Sequence, residues 1–370
     1  MPADTPPKPE TAALNELRRT IDEIDRRLVE TLAERARIVV QIGRRKQADG
    51  TPIYAPHREK QVLEKVLALN PGPLEARTVE AIYRELMSGS FRLEQPLRVG
   101  FLGPPGSFSH VAAVRHFGSS VEFDDLHEIE HVFEEVQAGR CHYGLVPYEN
   151  SIGGGITDTL DAFRGAEVTI CAEALIDVAQ ALLANGPPNA ITRIYSKPQI
   201  FSQCRQWLRN HYPEAELIPM ASSSSAVRHA AAEPPDAGAA AIGSALAGEI
   251  YGVKPLFTSI QDKPNNITRF LIIGRQASEP TGDDKTTIMF ATAHKPGALV
   301  DVLGVFRDAS INLSHIDKRP SGRENWQYTF FIDCDAHTCE AAMAKSIEAA
   351  RAHCVSLKVL GSYPRAERVL

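Results

Sequence analysis

Leu14, Leu17, Ile21, Ile24, Leu28 and Leu32 recur at steps of three and four, and the series continues through Val39 and Ile42. Apolar positions at that spacing form one stripe of an α-helix, so the pattern predicts a helix of about 35 residues, ~50 Å long. One compact chain of this size cannot cover such a helix, and a partner chain is expected to pack against it. Gly50, Pro52 and Pro56 interrupt the stripe, with Pro56 placed to open a second helix that runs to about Leu69. Pro71-Gly72-Pro73 stops that helix, and a third is expected from Leu74 to about Glu94, before Pro96. The result is an all-α segment over 11–95, behind a Pro-rich polar tail over 1–10 that is expected to be disordered.

The rhythm then changes. Over 97–275 short apolar runs alternate with helical stretches: Leu97 to Leu102, Tyr143 to Val146, Ile191 to Ser196, Ala239 to Gly243 and Phe270 to Ile273. That is an α/β pattern. A polar linker over 276–285 leads to a last segment, 286–363. It reads strand (Thr286 to Thr292), helix (Pro296 to Ala309), strand (Ile311 to Lys318), strand (Trp326 to Asp333), helix (Thr338 to Ala352), strand (Cys354 to Leu360). This βαββαβ order is the ferredoxin-like split unit.

Composition narrows the classes. At 370 residues and 43% hydrophobic content, two or three domains with real cores are expected. A net charge of −6 with interleaved signs offers no basic stripe for nucleic acid, and no apolar run approaches a membrane span. The six cysteines form no Cys-x-x-Cys pair, which fits reduced thiols in the cytoplasm.

Among the helical residues, Arg35 and Lys46 are eleven positions apart, so they fall within about 20° of one helix face and ~16 Å apart along it. Two long side chains can close that gap around a small anion. Arg18 is ~25 Å further back and about 100° off the face, so it reaches such a ligand only from a second chain. Together with Glu34, Gly43-Arg44-Arg45, Arg58-Glu59, Ser90 and Glu94, these residues resemble the all-helical chorismate mutases, whose sites are shared across an interlocked dimer. The resemblance implies that Arg18, Arg35 and Arg58 grip carboxylates, Lys46 meets the ether oxygen and Glu59 a substrate hydroxyl, with Ser90 and Glu94 completing the site. Two positions depart from the family: Ala55 stands where an Asp is frequent, and Glu94 where many members have Gln. A Glu must be protonated to donate to an ether oxygen, so mutase activity is expected to fall as pH rises.

Farther on, Thr268-Arg269-Phe270 follows the polar run Gln261 to Asn266 and enters an apolar strand, placing a proton-donating hydroxyl and a carboxylate-gripping cation at its mouth. Gly103 to Ser109 forms a turn before a helix, where Ser107 and Ser109 can cap it and meet an anion. Val146-Pro147-Tyr148-Glu149-Asn150-Ser151 ends another strand ahead of Gly153-Gly154-Gly155, and Tyr195 to Gln199 ends a third. These stretches resemble prephenate dehydratases, with Lys197 where that family often has His. The resemblance implies a two-lobed α/β domain that needs no cofactor or metal. Thr268 is then the proton donor to the leaving water, with Ser107, Ser109, Glu149, Asn150, Ser151 and Arg269 around the substrate. Strand alternation also allows Arg269 to face away and brace the site. His127-Glu128-Ile129-Glu130-His131 matches a zinc-protease pattern, but no third ligand follows, and a solvated helix start is the better reading.

In the last segment, Gly297-Ala298-Leu299-Val300 opens a helix and Ile316-Asp317-Lys318-Arg319-Pro320 ends a strand. They resemble the two phenylalanine-binding motifs of the ACT regulatory domains attached to dehydratases, with Asp317-Lys318 in place of Glu-Ser. The combined resemblance covers nearly the whole chain. It implies a homodimeric, bifunctional enzyme that converts chorismate to prephenate and prephenate to phenylpyruvate under phenylalanine control. Two alternatives stay open: a dehydratase whose helical domain mainly dimerises, and a non-catalytic amino-acid sensor.

Overall fold

The computed structural model describes residues 9–320 and 328–370. The tail expected over 1–10 lies outside the described residues as far as residue 8, as does Trp326.

Helix α1 (Pro9–Asp49) is longer than expected, and α2 (Pro56–Leu69) and α3 (Ala76–Glu94) complete the helical domain. Among the described residues, it is the C-terminal part of α1 that finds a partner within the chain. Val39 is buried where α1 packs on α3, and Gly43 admits the end of α3, since a Cβ there would lie 2.8 Å from the Glu94 Cα. Leu14, Leu17, Ile21, Ile24, Leu28 and Val29 all stand exposed, Leu17 at 63%.

The first α/β lobe is a sheet with strand order β2-β1-β3-β11-β5, to which the short β4 (Gly154–Gly155) adds at β3. The strands are β1 (Arg98–Leu102), β2 (Glu122–Leu126), β3 (Tyr143–Asn150), β5 (Thr169–Asp177) and β11 (Ile267–Gly274). Three helices cover it: α4 (Phe108–Phe117), α5 (Ile129–Gln137) and α6 (Thr157–Ala162). His127 precedes α5 while His131 lies within it, so the pair does not share two turns of one helix as the zinc pattern requires.

The chain leaves this lobe after Asp177 and returns at Ile267. Between the crossings lies a second sheet, β10-β6-β9-β7-β8, formed by β6 (Ala181–Leu183), β7 (Arg193–Ser196), β8 (Glu216–Pro219), β9 (Ala239–Gly243) and β10 (Pro255–Phe257). Its helices are α7 (Pro198–Gln203), α8 (Arg205–His211), α9 (Ser223–Ala232) and α10 (Ala245–Tyr251).

The C-terminal domain has strand order β13-β14-β12-β15, from β12 (Asp284–Ala291), β13 (Leu313–Pro320), β14 (Tyr328–Cys334) and β15 (Ser356–Pro364), with α11 (Ala298–Asp308) and α12 (Ala341–Arg351) across it. The βαββαβ order expected from sequence is the order observed.

The first sheet has two differently covered faces, and that division sorts the side chains at its strand ends. Phe270 and Ile272 join Val111, Ala112 and Phe117 of α4, and Tyr54 and Phe91 of the helical domain insert into the same core. Burying an aromatic of that size contributes ~2–3 kcal/mol. Tyr54 also ties the domains through polar atoms, its hydroxyl 2.6 Å from His116 Nε2 and its carbonyl accepting from Tyr143 at 3.1 Å. On the opposite face, Leu271 and Ile273 meet α5 and α6 together with Phe331, Leu360 and Tyr363 of the C-terminal domain. The tail beyond β15 then runs back to the helical domain, where Glu367 pairs with Lys60 at 3.0 Å and Arg368 with Glu80.

Candidate active sites

The helical domain holds a cavity of about 220 Å³ lined by Arg35, Lys46, Arg58, Glu59, Ser90 and Glu94, with Val39, Ile42 and Met87 as its apolar wall. Helix geometry accounts for the convergence, because Arg35 and Lys46 share a face of α1 while α2 and α3 supply the rest. Arg35 donates to Ser90 Oγ at 2.8 Å, and Ser90 is fixed by its own bond to the Leu86 carbonyl at 2.7 Å. Lys46 Nζ lies 2.9 Å from the Glu94 carboxylate and donates to the Ile53 carbonyl at 2.9 Å. Burial pushes Glu59 up to about 7, partly offset by Arg84. Arg18 does not line this cavity; it lies on the exposed N-terminal half of α1.

The second site forms where β3 ends and β11 begins. Thr268 pairs with Asn150 and Arg269 with Glu149, after which the register jumps so that Phe270 opposes Pro147. The extra residue is a bulge in β3, and it sets the faces. Asn150 and Thr268 point to the α4 side. Glu149 and Arg269 point to the other side. Asn150 donates to Thr268 Oγ1 at 2.9 Å and to Asn266 Oδ1 at 2.8 Å, while its Oδ1 accepts from the Ile152 and Gly153 amides at 3.0 and 2.9 Å. Two backbone donors on Oδ1 fix which end of the amide is oxygen. Thr268 Oγ1 therefore receives a hydrogen bond, which leaves its own proton free to be given away. Ser151 clasps the returning chain, accepting from the Ile267 amide at 3.0 Å and donating to the Asn265 carbonyl at 3.1 Å.

Ser107 caps α4, accepting from the His110 amide at 3.3 Å, and Ser109 is buried in its first turn, so both stand on the Thr268 side of the sheet. The loop before them touches the second lobe. Gly106 has φ of 81°, its carbonyl accepts from Ser244 at 2.6 Å, and a Cβ there would lie 2.8 Å from the Ala247 Cα. Lys197 is exposed at the N-terminus of α7.

Two of the expected residues stand apart from the Thr268 group. Arg269, expected among the substrate contacts, donates instead to Glu173 at 2.6 Å, to Asp333 at 2.5 Å and to the Tyr363 hydroxyl at 2.9 Å, and its guanidinium lies over the Tyr148 ring at 5.1 Å. Strand alternation carries it into the seam with the C-terminal domain. Glu149, expected in the cleft, is turned by the bulge onto the same face. It sits 3.3 Å from His315 Nδ1, and that hydrogen bond holds its carboxyl below the usual range. Sequence reasoning missed Glu173, Asp333, Tyr363 and Asn266. Only Asn266 left a readable trace, two residues before Thr268 and hence on its face.

In the C-terminal domain, Gly297 precedes α11 with φ of 81°, Ala298 is buried, Leu299 partly buried and Val300 exposed. Arg319 pairs with Thr329 across the sheet and Thr329 with Ala291, so β13 and β12 finish at the same end of the sheet, with Arg319 and Ala291 ~10 Å apart and the first motif following Ala291. Arg319 is held by Asp161 of α6, and a side chain at Gly155 would collide with Asp317.

Residues 17–95 match the family model described as chorismate mutase type II, and residues 99–278 the one described as prephenate dehydratase. The bifunctional chorismate mutase/prephenate dehydratase of Stutzerimonas stutzeri is 42% identical over 364 residues, which cover 96% of this chain and 99% of that protein. This chain belongs to the bifunctional chorismate mutase/prephenate dehydratase family. The family member from Pseudomonas aeruginosa is 41% identical over 360 residues, covering 95% of this chain and 98% of its own. Among solved structures, the prephenate dehydratase of Arthrobacter aurescens in complex with L-Phe superposes with a TM-score of 0.68 at 32% identity, over 73% of this chain and 91% of that one. The prephenate dehydratase of Staphylococcus aureus gives 0.60 at 29% identity, over 72% of this chain and all (100%) of its own. No described helix is long and apolar enough to cross a membrane.

Proposed function

We propose that the chain rearranges chorismate to prephenate in its helical domain, and converts prephenate to phenylpyruvate, carbon dioxide and water between its α/β lobes. The observation that carries the dehydratase reading is the Asn150 bond to Thr268 Oγ1. It leaves the Thr268 proton for the ring hydroxyl, which departs as water. The ring carboxylate then leaves as carbon dioxide, and its bonding electrons complete the aromatic ring. The Asn150 N–H steadies the oxygen that has lost its proton. No cofactor or metal enters this scheme.

For the mutase, Arg35 and Arg58 hold carboxylates, Lys46 faces the ether oxygen, Glu59 accepts from a hydroxyl, and Ser90 and Glu94 close the pocket. The enzyme fixes a compact conformer and forms no covalent intermediate. Arg18 enters from a second chain, so the reading includes a homodimer with shared mutase sites. It is supported by the uncovered apolar stripe from Leu14 to Val29. Phenylalanine is the proposed effector, held by Gly297 to Val300, Asp317 and Arg319; the A. aurescens relative was solved with L-Phe. A reducing, cytoplasmic setting fits the six free thiols.

The Lys46–Glu94 ion pair favours one narrower reading, a mutase that is weak at neutral pH because its two ether-facing groups hold each other. Purified protein given chorismate alone tests the whole scheme. Phenylpyruvate formation supports it, turnover of added prephenate only supports the narrower reading, and neither reaction leaves a non-catalytic sensor.

A further inference from the structure

Asn266 belongs to none of the motifs that define the dehydratase site, yet it is 1% exposed and sits where the chain returns from the second lobe. It follows Asn265, whose φ is 64°, so the turn aims the Asn266 side chain back beneath β3. Its backbone carbonyl accepts from Val178 at 2.7 Å, joining the returning crossing to the outgoing one. Its Oδ1 accepts from Asn150 at 2.8 Å.

An amide nitrogen has two hydrogens in fixed directions. On Asn150 one goes to Asn266 and the other to Thr268 Oγ1. The nearest other acceptor for Asn150 is the Ile267 carbonyl, at 3.5 Å. With the Asn266 oxygen removed, a buried N–H loses its partner, and tilting toward Ile267 draws the second hydrogen off Thr268.

We propose that Asn266 is a positioning residue for dehydration: by holding the Asn150 amide it keeps Thr268 oriented as a proton donor, and it does so from the hinge between the lobes. This deepens the dehydratase reading above and rests on it. Because Asn266 acts through Asn150, its loss affects the chemical step more than substrate binding.

The test compares Asn266→Leu, of similar shape without an acceptor, with Asn266→Asp, which keeps one, in steady-state assays on prephenate beside the unaltered chain. Asn266→Leu is expected to lower kcat ~10–100-fold with KM within about twofold, the scale of a small misplacement of a reacting group. Asn266→Asp is expected to restore kcat to within about fivefold of the unaltered chain. Equal losses in both variants, or losses confined to KM, overturn the proposal. Should Asn266→Leu not fold, Asn266→Ser, whose shorter side chain withdraws the acceptor, takes its place against Asn266→Asp under the same criteria. An unaltered chain that does not turn over prephenate contradicts the dehydratase reading itself.

Discussion

Arg269, Glu173, Asp333 and Lys285 form a buried cluster between the dehydratase lobe and the C-terminal domain, and its charge balance gives a quantitative prediction. The side chains of Glu173 and Asp333 are 0% exposed, Arg269 8% and Lys285 13%, and each cation lies within 3.2 Å of a carboxylate oxygen. Among these enclosed groups two positive and two negative charges cancel, while the half-exposed Glu149, 3.9 Å from Arg269, is engaged by His315. The neutral groups are also satisfied, because Thr287 donates to Asp333 at 2.6 Å and the Tyr363 hydroxyl accepts from Arg269 at 2.9 Å. Asp333→Asn leaves two cations against one carboxylate. Arg269→Met leaves two carboxylates against one cation. Each single change strands a buried charge, at an expected cost of ~3–5 kcal/mol. The double variant leaves the neutral Glu173–Lys285 pair, so its cost is expected to fall below the sum of the singles by ~2–3 kcal/mol. Equilibrium urea unfolding of the four proteins, read at the transition in which the C-terminal domain separates, measures the cycle. Additivity within ~0.5 kcal/mol refutes the charge-balance reasoning.

Glu94→Gln abolishes the ion pair with Lys46 and supplies a donor at every pH. Mutase kcat/KM at neutral pH is expected to rise severalfold and its pH profile to flatten, in steady-state assays on chorismate. Glu59, pushed up to about 7 by burial, stays protonated in the folded protein where the unfolded chain has already ionised. Protons are thus released on unfolding, and stability is expected to fall between about pH 4.5 and 7, by at most ~3 kcal/mol. Glu59→Gln should remove that slope from urea midpoints measured across the range. If mutase sites are shared, Arg18→Ala and Arg35→Ala are each inactive, but mixed and reassembled they should regain about a quarter of the activity, since half the dimers carry one intact site. No recovery contradicts the shared site.

The helices were legible because their stripes are long: α2 begins and ends at the expected Pro56 and Leu69, and α3 starts two residues late. The βαββαβ order was legible because each strand there is bounded by turn residues. Strand β5 was not, since Thr169–Asp177 breaks its apolar run with Glu173, whose burial depends on Arg269 and Lys285, about a hundred residues later. Thr268 and Asn150 were each singled out at a strand end, without the hydrogen bond that joins them on the α4 side. The bulge that turns Glu149 away depends on how β3 pairs with β11, and nothing local encodes it. Likewise the stripe of α1 announced a helix and called for a partner chain, but nothing local encodes how that partner would seat on it. Long-range pairing, rather than weak local signal, separates what was readable from what was not.

Thr268→Val removes a hydroxyl and almost nothing else, and chorismate is the substrate that interrogates both sites at once. The account predicts that this variant consumes chorismate at the unaltered rate and accumulates prephenate, with phenylpyruvate formation lowered by ~2–4 kcal/mol in barrier terms, about 30–1,000-fold. Phenylpyruvate formed at the unaltered rate, or mutase activity lost along with it, would contradict Thr268 as the proton donor of a separate dehydratase site.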